Sequence, residues 1–274
     1  LRELDELLDL LYEDESIVES CYPYLPKIDS FLRSLHLYFS NRVEVGYFLE
    51  IVGKIKENIL EGKKMGVLTI TFELGSGGLE VAQKVSEALG YRLVFSEILD
   101  EVAKRLGVPK KEVEVFDEFN YFPSKLSFFG LFQLDKSFVD FGAIFKTEKK
   151  EVNLETFRDE LGKVITAFAV SNNVVIVGHG SACILKEYPD AIHVKLEAPF
   201  EYRVKRLAER ENLEESEARE KLRRIDEKER EFLGDICGRE VDRVELFHMI
   251  LNTAKLGTEK CAQIIVSAVR ENES

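Results

Sequence analysis

The chain has 274 residues, 45% of them hydrophobic, which is enough to bury a core in one large domain or a medium domain with an appendage. Its formal charge of −13 argues against nucleic acid or an anionic membrane surface as the main partner. Cys21, Cys183, Cys237 and Cys261 lie far apart with no C-x-x-C pair, so reduced thiols in a cytoplasmic protein are expected in place of a zinc site or a disulfide framework. No stretch of about 18 uninterrupted apolar residues is present, and the charged start Leu1-Arg-Glu-Leu-Asp-Glu does not read as a signal peptide.

In chain order, residues 1–62 read as a helical N-terminal extension. Leu4, Leu7, Leu8 and Leu11 form one apolar stripe, Pro23 and Pro26 interrupt it, and Ile28–Phe39 and Val43–Ile59 give two more helical patterns. With 13 acidic and 6 basic residues, this piece carries over half of the chain's excess negative charge. It holds no chemical constellation and reads as a packing or partner-binding module.

From residue 63 to 274 strands and helices alternate. Strands are expected at Val67–Phe72, Arg92–Phe95, Asn173–Val177, Ile192–Glu197 and His248–Leu251. Helices are expected at Leu79–Leu89, Ile98–Leu106, Lys110–Glu118, Leu154–Ser171, Pro199–Arg210, Ser216–Phe232 and Thr258–Arg270. Short apolar strands separated by helices imply an α/β fold, a three-layer arrangement in which helices cover both faces of a parallel sheet. Ligand then belongs beyond the carboxyl ends of the strands. Between these elements, residues 116–145 hold nine of the nineteen phenylalanines. They read as core or an oligomer interface, with a mobile aromatic flap over a base pocket as the sharper alternative.

The first strand runs into Gly75-Ser76-Gly77-Gly78-Leu79-Glu80 and then a helix. Glycines let successive N–H groups face an anion, and the helix N-terminus adds partial positive charge. A plain turn between strand and helix is the bland alternative. The full phosphate-loop pattern places Lys and Ser or Thr after the glycines, where this chain has Leu79 and Glu80. Downstream, Arg203, Arg206 and Arg210 share one helix face and could converge on an anion, or form a solvated row paired with Glu201, Glu209 and Glu211. Arg224 and Arg230 could approach from a lid at about residues 211–240. His179, between Gly178 and Gly180 at a strand end, could meet a phosphate, although a satisfied histidine is the preferred reading.

Several colinear segments resemble the cytidylate kinase-like branch of the phosphate-loop nucleoside monophosphate kinases. Ile70-Thr-Phe-Glu-Leu-Gly-Ser-Gly-Gly78 is similar to the family's I-S-R-E-[FY]-G-S-G-G, and Leu89-Gly-Tyr-Arg-Leu-Val-Phe-Ser-Glu-Ile98 to its L-G-[YW]-R-[FY]-[YF]-D-[KR]-E-[IL]. Val175-Ile-Val-Gly-His-Gly180 resembles V-I-V-G-R-G, and Ala198-Pro-Phe-Glu-Tyr-Arg-Val-Lys-Arg206 resembles A-P-x-E-x-R-[IV]-x-R. Ile225-Asp226 is similar to the start of the lid helix, and Leu251-Asn-Thr253 to the L-N-T at the end of the last strand. The likeness spans roughly residues 65–270.

The resemblance implies a P-loop NTPase-like fold and transfer of the ATP γ-phosphoryl group to CMP or a related nucleoside monophosphate with Mg²⁺. Catalytic roles then fall to Arg203 and Arg206, with Arg230, adjacent to the family's basic lid position at Glu229, as a compensating cation. Nucleotide contacts are implied at Gly75, Ser76, Gly77, Gly78, Leu79, Glu80, His179, Gly180, Arg210 and Arg224, with no protein metal ligand assigned. Departures concentrate at basic positions: Phe72, Leu79, Ser96, His179 and Glu229 stand where the family carries positive charge that suits a phosphate, and Phe95 stands at the family's adjoining Asp. Such chemistry rests on neutralising phosphate charge, so the alternative is a catalytically inactive pseudokinase that binds nucleotide or protein. A homo-oligomer or protein partner would use residues 1–62 or 116–145.

Overall fold

β1 (Val67–Phe72) and β3 (Val174–Val177) are apolar enough to be buried along their whole length, as befits strands covered on both faces. They pair in parallel, Val67 opposite Val174 and Ile70 opposite Val177. β2 (Arg92–Val94) extends the sheet beyond β3, while β4 (Ile192–Glu197) and β5 (Met249–Asn252) extend it on the other side of β1. The order is β2-β3-β1-β4-β5, all parallel. The computed structural model describes residues 66–118, 152–171, 173–188, 191–238 and 244–272. The expected helices of the N-terminal extension and the aromatic insert beyond residue 118 lie outside these.

The helices are α1 (Gly78–Leu89), α2 (Glu97–Leu106), α3 (Lys110–Glu114), α4 (Leu154–Val170), α5 (Ser181–Ile184), α6 (Phe200–Glu211), α7 (Glu215–Cys237), α8 (Thr253–Leu256) and α9 (Thr258–Asn272). Alternation along β1 divides two cores. Leu68, Ile70 and Phe72 pack with Val81, Val85, Ile265 and Val269 of α1 and α9. Val67 belongs to the opposite layer with Ile98, Val102, Phe157 and Leu161 of α2 and α4. A third cluster joins Leu74 to Val204, Leu207, Ala218, Leu222 and Ile225 of α6 and α7.

Two helix ends differ by more than two residues from the sequence expectation. α3 stops at Glu114, four residues early, because Asp117 and Glu118 leave the helix to bond His179. α7 continues five residues past Phe232, since Ile236 finds a buried place in the α2/α4 core. No helix among the described residues is long and apolar enough to cross a membrane.

α7 bridges two sides of the sheet. Its first half packs on α6, which follows β4, through Ala218, Leu222 and Ile225. Its last turns place Phe232 and Ile236 with Ile184 and Leu185, at the end of β3. β1 lies between β3 and β4, so the helix, about 34 Å long for its 23 residues, passes over the carboxyl end of β1.

The expectation of reduced thiols requires correction. Cys183 on α5 and Cys237 at the end of α7 form a disulfide, with Cα atoms 5.5 Å apart. Fifty-four residues separate them, and only folding α7 back onto α5 brings them together. Cys261 is buried as a free thiol, and Cys21 lies outside the described residues.

Candidate active site

The glycine loop leaves β1 at the centre of the sheet and enters α1. Gly75 and Gly77 have φ of +85° and +88°, a left-handed backbone that glycine reaches without strain. The loop is also crowded. A Cβ on Gly75 would come within 2.8 Å of the Arg203 carbonyl oxygen, and one on Gly78 within 2.2 Å of Phe72. Phe72 therefore fills the space under the first turn of α1 and belongs to the core. Leu79 also packs on this core.

Ser76 donates its backbone N–H to Glu73 at 3.0 Å. Its hydroxyl is fully buried and has no hydrogen-bond partner among the described residues. An orphaned buried hydroxyl in a loop of glycines fits a phosphate oxygen. Mg²⁺ has a weaker footing: no group of three or more His, Cys, Asp or Glu side chains among the described residues could hold a metal. Magnesium commonly keeps waters and takes its remaining ligands from substrate phosphates, so no protein ligand is assigned.

The arginine row does not converge on one point. Arg203, 4% exposed, makes two 2.8 Å hydrogen bonds to Asp226 and donates to the Leu74 carbonyl at 3.3 Å. Glu73 is 3.5 Å away. Burial works against its charge, but Asp226 and Glu73 outweigh this and hold the guanidinium above its ordinary range. Arg206 lies over the loop: a Cβ on Gly77 would be 3.0 Å from its Nη2. Arg206 donates to Glu80 at 3.3 Å, and Glu80 also accepts from the Thr258 hydroxyl at 2.6 Å. Arg210 is exposed and pairs with Glu211, while Arg224 is exposed. Glu201, one expected partner of the row, instead pairs with Arg219.

Above the loop, Asp226, Glu229 and Arg230 lie midway along α7. Arg230 is exposed and, with Phe200, Arg223, Asp226 and Glu227, lines an open cleft of about 430 Å³. Burial, then the carboxylates of Asp226 and Glu73, push Glu229 up to about 8 against the opposing charges of Arg203 and Lys195. Glu118 is raised well above the carboxylate range by burial and by Glu229 and Asp117. The family's basic lid position is thus an acidic one here, inside a group of carboxylates.

His179 is 1% exposed and both ring nitrogens are engaged, Nδ1 with Asp117 at 2.6 Å and Nε2 with the Phe95 carbonyl at 3.1 Å. A carbonyl only accepts, so Nε2 carries a proton. The His179 N–H donates to Glu118. Gly178, His179 and Gly180 all have positive φ, of 66°, 55° and 66°. Asp117 and Glu118 hold His179 in this backbone conformation, which a histidine rarely adopts. Sequence reading missed this pair because it assigned both carboxylates to a helix. It also missed Asp226 as the partner of Arg203, although Asp226 was visible in the lid motif.

Comparison with known proteins agrees with this geometry. The model of the Cytidylate kinase-like family matches residues 67–255. A cytidylate kinase of Staphylothermus marinus is 34% identical over 108 residues, covering 39% of this chain and 59% of the relative. A cytidylate kinase of Ignicoccus hospitalis is 26% identical over 202 residues, covering 73% of this chain and 97% of the relative. The crystal structure of an uncharacterized protein from Eubacterium ventriosum superposes with a TM-score of 0.53 at 20% identity, covering 76% of this chain and 99% of that one, and supports the fold alone. With a glycine loop at the end of the central strand, a parallel α/β sheet and a helix crossing above, the chain belongs to the cytidylate kinase-like family.

Proposed function

We propose that this protein is a cytoplasmic nucleoside monophosphate kinase that transfers the ATP γ-phosphoryl group to CMP or a related monophosphate. The observation that carries the reading is Arg206 lying over Gly77. This chain has Leu79 and Glu80 where a phosphate loop would carry its lysine, and Arg206 supplies a cation to the same loop from α6. ATP supplies the phosphoryl group, and Mg²⁺ would neutralise part of its charge. Loop N–H groups and the Ser76 hydroxyl would orient the phosphates, while Arg206 would exchange Glu80 for a phosphate oxygen. Arg230, exposed in the open cleft that α7 forms with Phe200, is a second cation that this reading assigns to phosphates. Arg203 is a positioning residue in this reading, because Asp226 and the loop carbonyl occupy it.

One observation favours a second reading, a pseudokinase that binds nucleotide or a protein partner. Glu80 places a carboxylate beside the loop, already paired with Arg206, where it opposes a triphosphate. A transfer assay separates the two. Mg-ATP is offered with CMP, dCMP, UMP, AMP or GMP, and nucleoside diphosphate is measured. The kinase reading predicts transfer to at least one acceptor, reduced about 10²–10³-fold by Arg206→Ala. No transfer from a folded sample would sink it in favour of the pseudokinase.

A further inference from the structure

α7 is held at both ends of its passage over the glycine loop. At the β4 side Asp226 grips Arg203, whose backbone presses on Gly75. At the β3 side, two contacts fix the last turn. A Cβ on Gly180 would meet Ile236 at 2.7 Å, so the helix rests directly on the Gly178–Gly180 turn. Three residues from Gly180, Cys183 is bonded to Cys237. The helix ends there: Gly238, with φ of 60°, is its C-cap. Cys183 is buried at 8% exposure, whereas Cys237, the last residue of α7, is half-buried and packs at the edge of the α2/α4 core.

We propose that Cys183–Cys237 is a reversible latch that fastens α7 across the glycine loop, so that thiol–disulfide exchange controls access to the loop. In the oxidised protein both ends of the helix are fixed. In the reduced protein the β3 end keeps, among the described residues, the packing of Phe232, Leu233 and Ile236 without the covalent link, and α7 can swing about its attachment to α6. A small dithiol, or a protein dithiol of the same chemistry, is the reductant. Its thiolate attacks the sulfur of Cys237, the less buried residue of the pair, forming a mixed disulfide and releasing the Cys183 thiolate, which takes a proton. The second thiolate of the reductant then attacks its own sulfur in the mixed disulfide and releases Cys237. Two electrons and two protons pass to the protein, and the dithiol becomes a disulfide.

Hydrogen exchange on the full chain, oxidised and then treated with dithiothreitol, tests the latch without reliance on the proposed activity. Reduction is expected to raise exchange at least tenfold over residues 226–237 and at the Ser76–Leu79 amides, with Val174–Val177 unchanged. Cys237→Ser should reproduce the reduced pattern without reductant. Unaltered exchange in α7, or four alkylatable thiols after mild oxidation, would overturn the proposal. A fluorescent ATP analogue supplies a separate arm that rests on the kinase reading. Faster association after reduction supports control of access, and an unchanged rate despite looser α7 amides overturns it. If neither form binds the analogue, the kinase reading fails, while exchange at Ser76–Leu79 still decides whether the latch covers the loop.

Discussion

Arg203 on α6 and Asp226 on α7 face each other fork to fork, with both Nη atoms 2.8 Å from a carboxylate oxygen. The same guanidinium donates to the Leu74 carbonyl inside the glycine loop. One side chain thereby ties the loop, the helix after β4 and the crossing helix together. A planar guanidinium with five donors can make all these contacts at once, which a lysine cannot.

Breaking that pair on one side leaves a charge among carboxylates. Arg203→Ala is expected to cost about 3–5 kcal/mol in urea unfolding, because Asp226 and Glu73 lose their counter-charge. The double change Arg203→Met with Asp226→Leu should recover much of this loss. A double variant as unstable as Arg203→Ala would show that the pair contributes through more than charge compensation.

Gly75 and Gly90 separate conformational cost from crowding. Both have positive φ, but a Cβ on Gly90 meets nothing within 4 Å, whereas one on Gly75 strikes the Arg203 backbone. Gly90→Ala should cost about 1–2 kcal/mol for the left-handed conformation. Gly75→Ala should cost clearly more and displace α6, visible as altered amide shifts around Arg203. Equal losses for the two variants would refute the crowding.

His193 predicts an acid-sensitive core. Its imidazole accepts or donates at Thr69 over 2.8 Å, and burial together with His248 pushes it down to about 4. The unfolded chain binds this proton near pH 6.5 and the folded chain only near 4, so stability rises with pH across that window. On acidification from 6.5 to 4, about 3 kcal/mol should be lost through this group. Chemical unfolding at several pH values should show the slope, and His193→Gln should flatten it.

Glu229 has the opposite sign. Its folded value of about 8 lies above the ordinary 4.5, so its contribution is fully present below 4.5 and declines as pH rises towards 8. Glu73 and Asp226 oppose its ionisation, while Arg203 and Lys195 favour it. Glu229→Gln should therefore melt higher than the parent at pH 8, by about 5 °C, with the gap closing towards pH 4.5. A constant gap would remove Glu229 from the titration.

The alternation of short apolar strands with amphipathic helices was legible in the sequence because it is local. A strand buried on both faces must be largely apolar, and Val67–Phe72, with two threonines among its aliphatic residues, and Val174–Val177 satisfy that wherever they lie in space. The glycine loop was legible too, since positive φ at Gly75 and Gly77 needs glycine. Local pattern failed at α3, where Asp117 and Glu118 looked helical but are drawn off by His179, 62 and 61 residues away.

The sequence by itself determined the α/β class, the place of the glycine loop and the family. Tertiary structure alone decided the charge partners: Asp226 for Arg203, Glu80 for Arg206, and a carboxylate neighbourhood for Glu229. It also decided that Cys183 meets Cys237. Secondary structure follows periodicity over a few residues, but ion pairs and disulfides join groups that only the crossing of α7 over β1 brings within bonding distance.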